Sequence, residues 1–146
     1  MTSTVVRMLN VLLVDDSEDD VVLALEALKT TPGLQVTHVA KDGMEAIAYL
    51  RGLTFEGDRP DLILLDLNMP KLDGFQTLLV LQGDESLRGI PVVVLSASDW
   101  EDDVRRAYNC GAATYIRKPK GFTDFISVIH RLEDYWVRTA RLPHGP

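Results

Sequence analysis

Cysteine is nearly missing from this sequence: Cys110 stands alone among 146 residues. A single thiol excludes an internal disulfide and any multi-cysteine metal site, and fits a reducing compartment. Long apolar runs are missing too. The run near the N-terminus, Val11 to Val14, is far short of a membrane span or a signal-peptide core, so a cytoplasmic protein without membrane contact is expected. Positive charge is scarce, with 15 Lys and Arg against 22 Asp and Glu and a net charge of −7. That balance disfavours a nucleic-acid partner, which needs a basic face to displace counterions, but it suits a divalent cation. No glycine-rich loop with a lysine follows the first apolar run, which excludes a P-loop nucleotide enzyme. His38, His130 and His144 have no partner spacing that suggests a relay or a metal site.

What is present fills one globular domain. The apolar fraction of 46% and charged fraction of 25% exclude a disordered or fibrous class. One unit over residues 1–146 is expected, with its core at about 8–132 and an extended C-terminal helix and tail at about 133–146. Strand-length apolar runs recur at Leu9–Val14, Leu34–Val39, Leu62–Leu65, Val92–Leu95 and Ala113–Ile116. Between and after them, helical spacing covers Asp19–Thr30, Met44–Leu53, Phe75–Asp84, Glu101–Asn109 and Phe122 to about Thr139. Five βα units predict a doubly wound α/β fold: a five-stranded parallel sheet in flavodoxin-like order 2-1-3-4-5 with helices on both faces.

Ligands of open parallel sheets bind beyond the carboxyl ends of the strands. Strand one runs into Asp15 and Asp16, strand three into Asp66, strand four into Ser96 and strand five into Lys118. Three acids, a hydroxyl and an ammonium are therefore expected at one rim. Asp15, Asp16 and Asp66 can supply oxygen ligands to Mg²⁺, which in turn relieves their mutual repulsion. Asp66 can then act as a nucleophile toward phosphorus, with Lys118 and Ser96 holding the remaining phosphoryl oxygens. Each element has a plainer role alone, as a helix cap, a strand end or a loop. Their arrival together at successive strand ends favours chemistry.

These residues carry a resemblance to the response-regulator receiver domains of two-component signalling. The acidic pair stands in Val11-Leu12-Leu13-Val14-Asp15-Asp16, and the phosphoacceptor segment in Leu64-Leu65-Asp66-Leu67-Asn68-Met69-Pro70-Lys71-Leu72-Asp73-Gly74. The hydroxyl lies in Val94-Leu95-Ser96-Ala97 and the lysine in Tyr115-Ile116-Arg117-Lys118-Pro119. The resemblance implies that Asp66 receives a phosphoryl group from a sensor histidine kinase. Asp16 and Asp66 would bind Mg²⁺ directly, Asp15 through water and Asn68 by its backbone carbonyl. Ser96 would be the switch hydroxyl, Tyr115 the switch aromatic, and Lys118-Pro119 a cis peptide. The implied function is signalling, with no catalysis beyond self-phosphorylation and dephosphorylation; a phosphorylation-independent receiver-like scaffold is the alternative. A haloacid-dehalogenase-type phosphatase would need an acid two residues after Asp66, where Asn68 stands.

The tail Glu133-Asp134-Tyr135-Trp136-Val137 is most similar to single-domain regulators that serve bacterial phytochromes or other sensor kinases. The strip Phe122, Phe125, Ile126, Ile129, Leu132 and Trp136 has helical spacing and is expected to face the core. Consecutive Tyr135, Trp136 and Val137 point about 100° apart, so at least one should be exposed. The helical pattern runs on through Arg138 to Arg141, and a homodimer built partly on this helix is expected.

Overall fold

A computed structural model describes residues 8–69 and 73–142. Pro70, Lys71 and Leu72 of the expected phosphoacceptor segment, His144, and the two ends of the 1–146 span lie outside the described residues. Five strands form one parallel sheet in the order β2-β1-β3-β4-β5. They are β1 (Leu9–Val14), β2 (Leu34–Ala40), β3 (Leu62–Asp66), β4 (Val92–Ser96) and β5 (Thr114–Arg117). The helices are α1 (Glu18–Leu28), α2 (Gly43–Gly52), α3 (Gly74–Gly83), α4 (Glu101–Asn109) and α5 (Phe122–Glu133). A short 3-10 turn at Glu56–Asp58 precedes β3.

The order follows from where the apolar runs are continuous. Every residue of β3 and β4 is buried, as strands covered on both faces must be. The edge strand β2 mixes exposed Gln35 and Thr37 with buried ends. On one face Leu12, Val14, Ile63, Leu65, Val92 and Val94 pack beneath α2, α3 and α4. On the other, Val11, Leu13, Leu62, Leu64, Val93 and Leu95 pack beneath α1 and α5. Chain order reverses between β1 and β3, so the carboxyl ends of these neighbours flank the switch point where such sheets open a crevice.

The C-terminal helix departs from the expected form. After Glu133 the helix widens into a π-type turn over Asp134–Thr139, in which Ala140 N–H reaches Tyr135 O at 2.6 Å. Trp136 and Val137 both pack against the α1/α5 core, and Tyr135 is left 52% exposed. The extension continues α5 and packs against its own domain through Trp136 and Val137. Phe122 does not belong to the core strip: it is the first residue of α5 and 43% exposed, whereas Phe125, Ile129 and Leu132 are buried. Glu133 itself is buried, its Oε2 accepting from Gly33 N–H at 2.8 Å and its Oε1 lying 3.3 Å from Arg138. Gly33 O in turn accepts from Leu9 N–H at 2.8 Å, so this carboxylate ties the C-terminal helix to the start of β1.

Candidate functional site

Asp15 follows β1 directly, and its backbone is held by Asp15 N–H donating to Ala40 O at 3.0 Å. Its carboxylate is buried and doubly engaged: Oδ1 accepts from Ser17 N–H at 3.0 Å and Oδ2 from Lys118 Nζ at 2.8 Å. Asp16, next in the chain, is exposed at the mouth. Asp66 ends β3, buried beside β4, with Oδ1 accepting from Asn68 N–H at 3.3 Å. One oxygen each from Asp15, Asp16 and Asp66 lie within 4.8 Å of one another. Three carboxylates this close, two of them buried, form a hard-oxygen donor set that fits a divalent cation. Asn68 follows on the same loop with its side chain exposed.

Burial is the main reason that Asp66 holds its proton more tightly, with its pKa raised from 3.8 to about 6. Lys118 opposes that shift, while Asp15 and Asp16 add to it. Lys118 Nζ stands 4.0 Å from Asp66 Oδ2, with its side chain 13% exposed. Burial alone would lower the lysine's proton affinity, but hydrogen bonds to Asp15 and Asp20 and the field of Asp66 outweigh it and leave the pKa raised. The ammonium is therefore charged throughout the physiological range.

Ser96 is fully buried at the end of β4, and its hydroxyl accepts from Ser98 N–H at 3.2 Å. Tyr115 on β5 is half-buried and donates its hydroxyl hydrogen to Ser98 O at 2.8 Å. Ser98 thus joins the two expected switch residues through its own backbone. Its hydroxyl also donates to Asp103 at 2.6 Å and accepts from Trp100 N–H at 3.3 Å, which secures the entry to α4. The expected cis peptide at Lys118-Pro119 is not found: no cis bond occurs among the described residues. Trans is the lower-energy isomer for proline, and Lys118 N–H closes the turn onto Ser96 O at 2.7 Å without it.

Two site residues escaped the sequence argument. Ser98 carries no signal beyond its place in the loop after β4. Asp20 does carry one: it stands in the acidic first turn of α1, four residues after Asp16, and its Oδ2 accepts from Lys118 Nζ at 2.8 Å. Of the histidines, His38 stacks on Tyr49 at 3.9 Å and His130 is bonded to Thr30 at 2.9 Å. Met69 is buried in the core, as packing and not chemistry requires.

Comparison with known proteins agrees with this geometry. A family model described as the response regulator receiver domain matches residues 11–130. Response regulator Rcp1 of Synechocystis sp. is 38% identical over 135 residues, spanning 91% of this chain and 92% of its own. The crystal structure of the phosphorylated cyanobacterial phytochrome response regulator RcpA is similar at a TM-score of 0.84 and 41% identity, covering 94% of this chain and 99% of that one. The Mn²⁺-bound form of Rcp1 is similar at a TM-score of 0.78 and 38% identity, covering 93% and 99%. Receiver domains hold a divalent metal at an aspartate cluster of this kind.

Proposed function

Because the chain belongs to the response regulator receiver domain family of two-component signalling proteins, we propose that it is a phosphorylation switch whose acceptor is Asp66. One observation carries this: Asp66 is buried at the switch point of the sheet, within metal-ligand reach of Asp15 and Asp16 and 4.0 Å from the Lys118 ammonium. The donor is a phosphohistidine of a sensor histidine kinase. An Asp66 carboxylate oxygen attacks phosphorus, the phosphorus–nitrogen bond breaks, and its electron pair stays on the departing imidazole. Asp15, Asp16, Asp66 and the Asn68 carbonyl would hold Mg²⁺, which when bound would neutralise the carboxylates and the transferred oxygens. Lys118 offers a charged donor to one phosphoryl oxygen and Ser96 a hydroxyl to another.

Switching follows from the Ser98 link. A phosphoryl group that recruits the Ser96 hydroxyl competes with its bond to Ser98 N–H, and Ser98 O holds Tyr115. The local change therefore reaches β5 and the start of α4. That RcpA is a cyanobacterial phytochrome response regulator supports a bacterial phytochrome as the kinase, acting in the cytoplasm on one receiver unit with its core at about 8–132. Among the described residues no helix is long and apolar enough to cross a membrane. Exposed Tyr135 on the C-terminal turn supports a homodimer, for which light scattering should give twice the chain mass at micromolar concentration.

The acceptor assignment is tested by incubation with acetyl phosphate. Phosphorylation should require Mg²⁺, disappear with EDTA and map by mass spectrometry to the peptide containing Asp66. Partner binding that is indifferent to phosphorylation would instead support the phosphorylation-independent scaffold.

A further inference from the structure

Asp20 has an ordinary role open to it that it does not take. Ser17-Glu18-Asp19-Asp20 has the spacing of a capping box, in which the acid three residues after the cap returns to the cap's own amide. Half of the box forms, with Asp20 N–H donating to Ser17 Oγ at 3.3 Å. The other half is pre-empted, because Ser17 N–H already donates to Asp15 Oδ1 at 3.0 Å. The Asp20 carboxylate is left to turn inward to Lys118. A closed ring results: Asp15 to Ser17, Ser17 to Asp20, Asp20 to Lys118, and Lys118 back to Asp15. Glu18 and Asp19, in the same acidic turn, make no ion pair among the described residues.

An ammonium has three donors. Asp15 and Asp20 take two, and the separation of 4.0 Å from Asp66 Oδ2 leaves the third for an oxygen carried by Asp66. Were Asp15 drawn toward a metal, Asp20 would be the remaining carboxylate within hydrogen-bond distance of Lys118 among the described residues. Surface ion pairs contribute little because water screens them, but Lys118 is 13% exposed and its Asp20 partner 40% exposed, so this pair is only partly screened. Building on Asp66 as acceptor, we propose that Asp20 is a positioning residue that anchors the Lys118 ammonium so that its free donor is aimed at the phosphoryl group.

The experiment follows phosphorylation of the full chain by acetyl phosphate in saturating Mg²⁺. Asp20→Asn should slow it about tenfold, as expected for loss of one charge-assisted hydrogen bond. Asp20→Glu, which keeps the charge, should restore the rate to within about threefold of wild type. In a Lys118→Met background, Asp20→Asn should have no further effect on the residual rate, because the two residues act as one unit. Nitrogen-detected spectra of the lysine side chains supply a readout independent of phosphorylation. The Lys118 ammonium signal, protected by its hydrogen bonds, should be present in wild type and Asp20→Glu and lost in Asp20→Asn. A wild-type rate in Asp20→Asn, or equal slowing in both backgrounds, overturns the inference and leaves the acceptor assignment standing. Absence of Mg²⁺-dependent phosphorylation in the wild type overturns both.

Discussion

Asp66→Asn is expected to abolish phosphorylation and, at the same time, to make the metal-free protein more stable at neutral pH. An amide cannot act as the nucleophile, so no phosphoryl group should be retained with either acetyl phosphate or a kinase. The stability gain comes from the cost of ionising Asp66 where it stands. Burial first, and then Asp15 and Asp16, raise its pKa to about 6 in the fold, against 3.8 for the free side chain. Between those values the native state holds a proton that the unfolded chain has released, so native stability falls as pH rises through the window and levels off above it. At about 1.4 kcal/mol per tenfold change in proton affinity, the loss is on the order of 3 kcal/mol. Asparagine removes this dependence. In EDTA, the stability of Asp66→Asn relative to wild type should climb from pH 4 to 6 and then stay constant, as read by urea denaturation. Mg²⁺ should reverse the order above pH 6, because the metal competes with the proton for the same oxygen. A stability difference that does not change with pH would contradict burial of an ionisable Asp66.

Gly74→Ala is expected to damage the same site from behind. Gly74 opens α3, donates its N–H to Leu67 O at 2.9 Å, and lies against the chain just after Asp66. A Cβ there would fall on Leu67 Cα and within 2.8 Å of Asp66 O, where backbone, unlike a side-chain tip, cannot swing aside. Overpacking of this kind costs about 1–3 kcal/mol. Because the displaced backbone carries the proposed acceptor, Mg²⁺-dependent phosphorylation should fall together with stability. Gly83→Ala is the control: it closes the same helix with nothing within 4 Å of its added Cβ. Removing a helical glycine there should leave stability unchanged or raise it by up to about 1 kcal/mol. Equal behaviour of the two variants in urea denaturation would show that α3 does not press on the site.

The sheet and the cluster of acids and lysine at its rim were legible because both follow from local regularities. Buried parallel strands must be apolar without interruption, so β3 and β4 announced themselves, and an acid or hydroxyl at the end of such a run has only the rim to occupy. Asp15, Asp16, Asp66 and Lys118 accordingly come together. Asp20 did not announce itself, because its capping-box spacing is satisfied on paper by its own helix. Only the competition between Asp15 and Asp20 for one amide, settled by tertiary contact with Lys118, sends it elsewhere. The extent of the C-terminal helix, to about Thr139, and an exposed aromatic at Tyr135 were legible, but the π-type form of its last turns was not. Helical periodicity assumes a constant 3.6 residues per turn, and a π-type widening lets Trp136 and Val137 reach the same core.

The clasp between Glu133 and Gly33 also bears on the order in which the molecule can be completed during synthesis. Strands β1 and β2 can pair soon after they leave the ribosome, but the Gly33 amide must wait for a carboxylate one hundred residues further on. At translation rates of about 5–20 residues per second, the wait is roughly 5–20 s. Once β3 and β4 have emerged, the face of the sheet that α5 covers has α1 alone for a roof, leaving Leu64, Val93 and Leu95 without their cover from Phe125 and Ile129. A nascent chain is thus most open to chaperone capture on the α1/α5 side, and its last helical turns end that exposure.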